Sequence, residues 1–218
     1  MKLIITEEQL RLIIENEGGG KLFNIPGEFL RIANGVEKAL KIYNDKKGIK
    51  GWDGIKIDGY LNLNYFASQG DSINDLLDEI VVMDGVLVLP VGDYKNSFNK
   101  LKVIKGDLNA TDVWNISLPE LEYVNGDLDL KFSGIKKLPK LKEVGGSLHL
   151  SLSDIKSLPE LKYVGSMLAL RGTNIESLPM LEYVDSTLIL SNTPLSKTTT
   201  EEELRNKINV GGDIFLWN

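Results

Sequence analysis

Residues 118–137 read LPELEYVNGDLDLKFSGIKK, and the chain then repeats the pattern three times: LPKLKEVGGSLHLSLSDIKS (138–157), LPELKYVGSMLALRGTNIES (158–177) and LPMLEYVDSTLILSNTPLSK (178–197). A Leu-Pro pair opens every block, with no slippage. Six positions per block are always aliphatic; in the first they are Leu118, Leu121, Val124, Leu128, Leu130 and Ile135. A fixed period of this length marks units that cannot bury an apolar edge alone and do so by stacking on their neighbours.

Leu128-Asp129-Leu130 alternates apolar and polar, which predicts a short strand with two side chains inward and one presented. Leu148-His149-Leu150, Leu168-Ala169-Leu170 and Leu188-Ile189-Leu190 repeat it. Each unit returns to its starting edge, so the strands are predicted to be parallel, about 4.8 Å apart. Ser133, Ser153, Thr173 and Thr193 follow at a constant offset. A hydroxyl there can bond the backbone of the turn. The remainder of the block holds Leu-Pro and too few residues for a full helix, so extended or 3₁₀ backbone is expected on the back.

The pattern continues more loosely outside these blocks. Residues 57–63 (IDGYLNL), 83–89 (MDGVLVL), 104–110 (IKGDLNA) and 210–216 (VGGDIFL) match 124–130 (VNGDLDL). This predicts a parallel sheet of eight strands, roughly 34 Å along its axis from seven gaps of about 4.8 Å. The wider gap between the first two units leaves room for a helical turn at 72–79. A second insertion, 198–207, reads as a helix capped by threonine, with Glu201, Glu202 and Glu203 in its first turn.

The pattern L-x-L-x-x-[ST]-x-[IL]-x-x-L-P-x-L resembles the leucine-rich repeat, at the short end of its range, with Ser or Thr where that family more often has Asn. The resemblance covers most of the chain from about Ile57. It implies an α/β solenoid: a right-handed coil carrying one parallel sheet, closed at its N-terminal end by a helical cap. It implies little about the ligand, because one such architecture serves many functions.

Residues 1–17, MKLIITEEQLRLIIENE, form a strand-like run followed by a Thr-x-x-Gln capping box and an amphipathic helix ending at Gly18-Gly19-Gly20. This arm is similar to the opening of many proteins of tailed bacteriophages, which implies a virion component or a protein acting in the infected cell. Residues 18–51 are expected to hold a helical cap over 27–44, with Phe29, Ile32, Ala33, Val36, Leu40 and Tyr43 on one face, and then a lysine-bearing connector. Residues 52–218 form the solenoid.

Composition narrows the function classes. The chain has 218 residues and a net charge of −6, with 25 basic and 31 acidic side chains. That balance argues against nucleic acid or an anionic membrane as the main partner. There is no cysteine and one histidine, so thiolate chemistry and multi-histidine metal sites are excluded. No apolar run reaches membrane-spanning length, and the N-terminus lacks a signal-peptide core and cleavage site. The expectation is a protein of the host cytoplasm or of the virion, without a cofactor.

Function is expected on the presented face of the strands. Its middle column reads Asn62, Val88, Asn109, Asp129, His149, Ala169, Ile189, Phe215. With Met167, Arg171 and Trp217 alongside, the face grades from polar to apolar. Met167, Ala169, Ile189, Phe215 and Trp217 are expected to form an exposed patch of the kind that marks an interface. The candidate partner-binding residues are therefore Asp129, His149, Met167, Ala169, Arg171, Ile189, Phe215 and Trp217. Tyr123, Glu143, Tyr163 and Tyr183, beside stacked opposite charges, read as a structural row on the back. His149 with Asp129 and Ser147 does not make a catalytic triad on an open sheet that lacks a pocket and an oxyanion site. Asp107, Asp127 and Asp213 are interrupted by Ser147, Met167 and Thr187, so no carboxylate cage is expected. The sequence thus points to a non-enzymatic module that binds a virion or host protein. Self-association through the last strand, as a structural subunit, and glycan binding through the polar middle of the face are the alternatives.

Overall fold

The computed structural model describes residues 21–26, 39–45, 52–63, 71–93 and 98–217. The arm at 1–17, most of the helix expected over 27–44 and the lysine connector lie outside these residues. Residues 39–45 are helical, and Ala39, Leu40 and Tyr43 are buried against the main core.

The described chain is mostly parallel strands arranged in two sheets, with few and short helices. The shorter sheet has the eight predicted strands, from Leu61–Asn62 at one edge to Ile214–Phe215 at the other. Leu108, Leu128, Leu148, Leu168, Leu188 and Ile214 are successive register partners along it. The whole predicted middle column, Asn62 to Phe215, is likewise in register, rung upon rung.

The back of each repeat was expected to be extended or 3₁₀, and it is both. Leu118 O accepts the Leu121 N–H across Pro119-Glu120, an i to i+3 turn with proline at its second position. The extended part goes further than expected: Tyr123–Val124, Glu143–Val144, Tyr163–Val164 and Tyr183–Val184 pair into a second parallel sheet of nine strands. Each repeat thus contributes two short strands joined by a turn such as 125–127. That turn is tight. A Cβ on Gly146 would lie 2.2 Å from Asp127 Oδ1, which is occupied in accepting the Ser147 N–H at 2.7 Å.

The longer sheet begins with Lys21–Pro26, which pairs in parallel with Trp52–Asp58. These residues, KLFNIP, lie outside the repeat and carry no periodic strand signal. The expected helical insertions are present as Asp71–Glu79 and Glu201–Arg205, and Pro194–Thr198 adds a further short helix. Glu201–Arg205 carries the predicted cap: Thr200 Oγ1 accepts the Glu203 N–H and the Glu203 carboxylate accepts the Thr200 N–H.

One continuous apolar core runs between the sheets. All six periodic aliphatics of every block belong to it, fully buried except Leu178 and Leu195, which pack against its margin. The hydroxyl column is buried too. Ser133, Thr173 and Thr193 donate to the carbonyls of Leu130, Leu170 and Leu190 at 2.7–2.8 Å. Ser153 Oγ has no partner. Just before these hydroxyls the backbone turns left-handed at Phe132, Leu152, Gly172 and Asn192, as it does at Asp112 before Val113 (φ +56 to +70°). Asp, Gly and Asn tolerate that region; Phe132 and Leu152 adopt it at a cost of roughly 1–2 kcal/mol each.

Candidate partner-binding surface

Four of the eight predicted residues converge. Arg171, Ile189, Phe215 and Trp217, with Ser151, Ser191 and Asn192, line an open cleft of about 570 Å³ at the C-terminal end of the shorter sheet. Alternation along the strands places them: Ile189 and Phe215 are register partners in the presented column, and Arg171 and Trp217 lie two residues further along their own repeats. The Phe215 and Trp217 rings meet edge to face, with centroids 5.4 Å apart. Trp217 is 73% exposed, so the Glu201–Arg205 helix does not cover it. Among the described residues no carboxylate pairs with the exposed Arg171 guanidinium.

The other four do not join the cleft. Ala169 is only 6% exposed and does not belong to an exposed patch. It sits between His149 and Ile189 on the adjoining strands, and these larger side chains overshadow a lone methyl. Met167 is half-buried. His149 and Asp129 are register partners nearer the middle of the face. Asp129 is held by its own repeat: its carboxylate accepts the Lys131 N–H at 3.2 Å and pairs with Lys131 Nζ at 3.0 Å. Among the described residues, no cluster of three or more acidic or histidine side chains is placed to hold a metal ion. No helix among them is long and apolar enough to cross a membrane.

The back row is in register as expected, Tyr123, Glu143, Tyr163, Tyr183. Tyr163 and Tyr183 stack with centroids 5.3 Å apart. Lys140 pairs with Glu120 at 2.6 Å, and Lys142 pairs with Glu122. Burial pulls the Lys142 ammonium down, but its hydrogen bond to Glu122 together with the negative charge of Glu122 and Glu160 outweighs this and holds it above its ordinary value. Glu143 has no such hydrogen bond. Burial raises its carboxyl, against the weaker pull of Lys162 and Lys142.

The two sheets end differently beside the cleft. Inside the longer sheet, the carbonyls of Val164 and Val184 accept the N–H of Asp185 and Gly211, and those of Ser166 and Ser186 accept the N–H of Ser186 and Gly212. One rung on, the equivalent carbonyls belong to Val210 and Gly212. Arg205 takes both: Nη1 donates to Val210 O at 3.1 Å and Nη2 to Gly212 O at 2.9 Å, while Nε is anchored on Glu201 at 2.8 Å. The guanidinium fork substitutes for the N–H groups of a further strand. This role was not legible from the sequence, which shows Arg205 only as a base in the last turn of a helix. In the shorter sheet, Leu188 and Leu190 donate to Asp213 O and Phe215 O. The equivalent donors one rung on are Ile214 and Leu216, and among the described residues nothing accepts from them.

The chain matches no known protein family, no curated protein and no solved structure in these comparisons.

Proposed function

We propose that the chain is a non-catalytic, leucine-rich-repeat-like solenoid that binds another protein through the C-terminal end of its shorter sheet. The convergence of Arg171, Ile189, Phe215 and Trp217 on one open cleft carries this reading. An exposed Trp217 ring packed on a half-buried Phe215 beside an arginine has the usual composition of a protein-binding hot spot. The cleft is shallow and open, which suits a macromolecular surface better than a reaction that must exclude water. If the N-terminal arm reflects a phage origin, the partner is a virion or host protein.

Replacing Phe215 and Trp217 together with Ser removes both rings without touching the buried columns. Cross-linking of the purified chain into a lysate of its host should then lose the proteins captured by the wild type. Unchanged capture at unchanged thermal stability would reject this surface. Self-association at the same end is the second reading, favoured by the unpaired donors of Ile214 and Leu216. Mass photometry separates the two: a monomer at micromolar concentration speaks for a foreign partner.

A further inference from the structure

We propose that the Ile214–Phe215 edge accepts an extended segment of another protein as a ninth parallel strand, and that the segment carries an apolar-x-apolar triplet. The proposal rests on the reading of this end as a protein-binding surface and specifies how the partner is held.

Three observations carry it. First, the edge offers a ladder with no counterpart: the Ile214 and Leu216 N–H groups point where Leu188 and Leu190 find carbonyls one rung earlier. Only a polypeptide backbone supplies acceptors and donors at that spacing; a sugar or a nucleotide does not. Second, the core is short of one layer here. Leu168 and Leu188 are 0% exposed whereas Ile214 is 8% exposed, and Leu216 is only partly buried where Leu170 and Leu190 are fully so. Apolar side chains over Ile214 and Leu216 would complete both columns, and the residue between them would face outward beside Phe215. This sets the triplet. Third, Arg205 already fills two of the carbonyls, those of Val210 and Gly212, that a further repeat would use in the longer sheet. The vacant position therefore suits a lone strand rather than another full repeat.

The geometry specifies which backbone groups of the incoming segment matter. Within the sheet the middle residue of each triplet turns its N–H and C=O toward the preceding strand, as the Phe215 carbonyl does toward Leu190. The flanking residues point their amides away from it. The probe is a capped synthetic peptide copying residues 145–153, GGSLHLSLS, whose triplet is Leu-His-Leu. Three forms are compared: unmodified, N-methylated at the copy of His149, and N-methylated at the copy of Leu150. Amide exchange of Ile214 and Leu216 is followed by NMR on the intact chain.

The unmodified peptide and the form methylated at the Leu150 copy should slow both amides, about tenfold at ten times the Kd. The form methylated at the His149 copy should leave them unchanged. Equal protection by all three forms, or by none up to solubility, overturns strand addition. Protection that rises with protein concentration in the absence of peptide also overturns it, in favour of a second copy. If the peptides fail while the Phe215/Trp217 double variant still loses its captured proteins, strand addition alone is wrong and the surface stands. If that variant captures normally, the surface itself is wrong.

Discussion

The two sheets finish at the same end of the molecule and finish differently. At the last strand of the longer sheet, Asn209–Val210, Arg205 occupies the Val210 carbonyl and that of Gly212 in the turn that follows. The last strand of the shorter sheet, Ile214–Phe215, has none of its outward donors occupied among the described residues. A bare strand edge is an aggregation hazard that proteins ordinarily blunt with charge, twist or cover. Here one side chain blunts one edge and leaves the neighbouring edge beside an aromatic cleft. The difference shows that a fork of donors at the right spacing can occupy carbonyls along an edge. It also shows that the open edge is not a consequence of the fold, because the means to close an edge is present a few residues away.

The largest effect expected from probing this contrast lies in the layer beneath it. Leu188→Ala, in a fully enclosed rung, should cost about 3–4 kcal/mol, whereas Ile214→Ala, in the underburied last rung, should cost about 1–2 kcal/mol. Chemical denaturation of both variants reads the difference. Equal costs would mean that the last rung is as well packed as the interior.

The next effect concerns the fork itself. Arg205→Ala removes the two hydrogen bonds to carbonyls and the exposed ion pair with Glu201, for an expected loss of about 1–2 kcal/mol. That corresponds to a fall of roughly 2–8 °C in Tm for a chain of this size. Arg205→Lys keeps the charge but loses the planar fork and should recover only part of it. If both variants melt with the wild type, Arg205 does not close the edge.

The smallest effect lies on the back of the longer sheet. Glu143 is pushed above its ordinary carboxylate value by burial, so the folded state disfavours its charge. That cost is present above the folded pKa and is relieved as pH falls through it. Glu143→Gln should therefore raise Tm at pH 7, by no more than about 2 °C, and the gain should vanish near pH 4. Asp84 shifts the other way. Burial raises it, but its hydrogen bonds to Lys105 and Lys56 prevail and hold it low, so its stabilising contribution is lost as pH falls through its depressed value. Glu143→Gln lacking any pH-dependent gain would remove burial as the cause of its shift.

What the sequence made legible was whatever repeats. Leu-x-Leu at a constant interval located four strands of the shorter sheet, the looser match at 57–63, 83–89, 104–110 and 210–216 located the other four, and together they ordered its presented column and placed the hydroxyls under the turn. The second sheet was harder, because its strands from Val103–Ile104 onward have only two residues each and so show no alternation to detect. Lys21–Pro26 lies outside the repeat and pairs with a strand that begins at Trp52, so neither period nor proximity announced it. Ala169 failed for a different reason: phase gives the direction of a side chain, while exposure depends on the size of its neighbours. Phe132 and Leu152 occupy a left-handed column that only Gly172, Asn192 and Asp112 advertise by residue type. Arg205 acts across a distance that no linear spacing encodes.

Because Leu128, Leu148, Leu168 and Leu188 are direct partners across neighbouring strands, the length of this molecule comes in whole increments. Excising residues 138–157 would set Leu128 beside Leu168 and preserve every pairing, while removing a single residue would turn inward side chains out. A lineage that gains or drops a twenty-residue segment therefore slides its two ends by about 4.8 Å at a time and leaves both untouched. Length and tip can then vary separately: one by counting, the other by editing a few side chains.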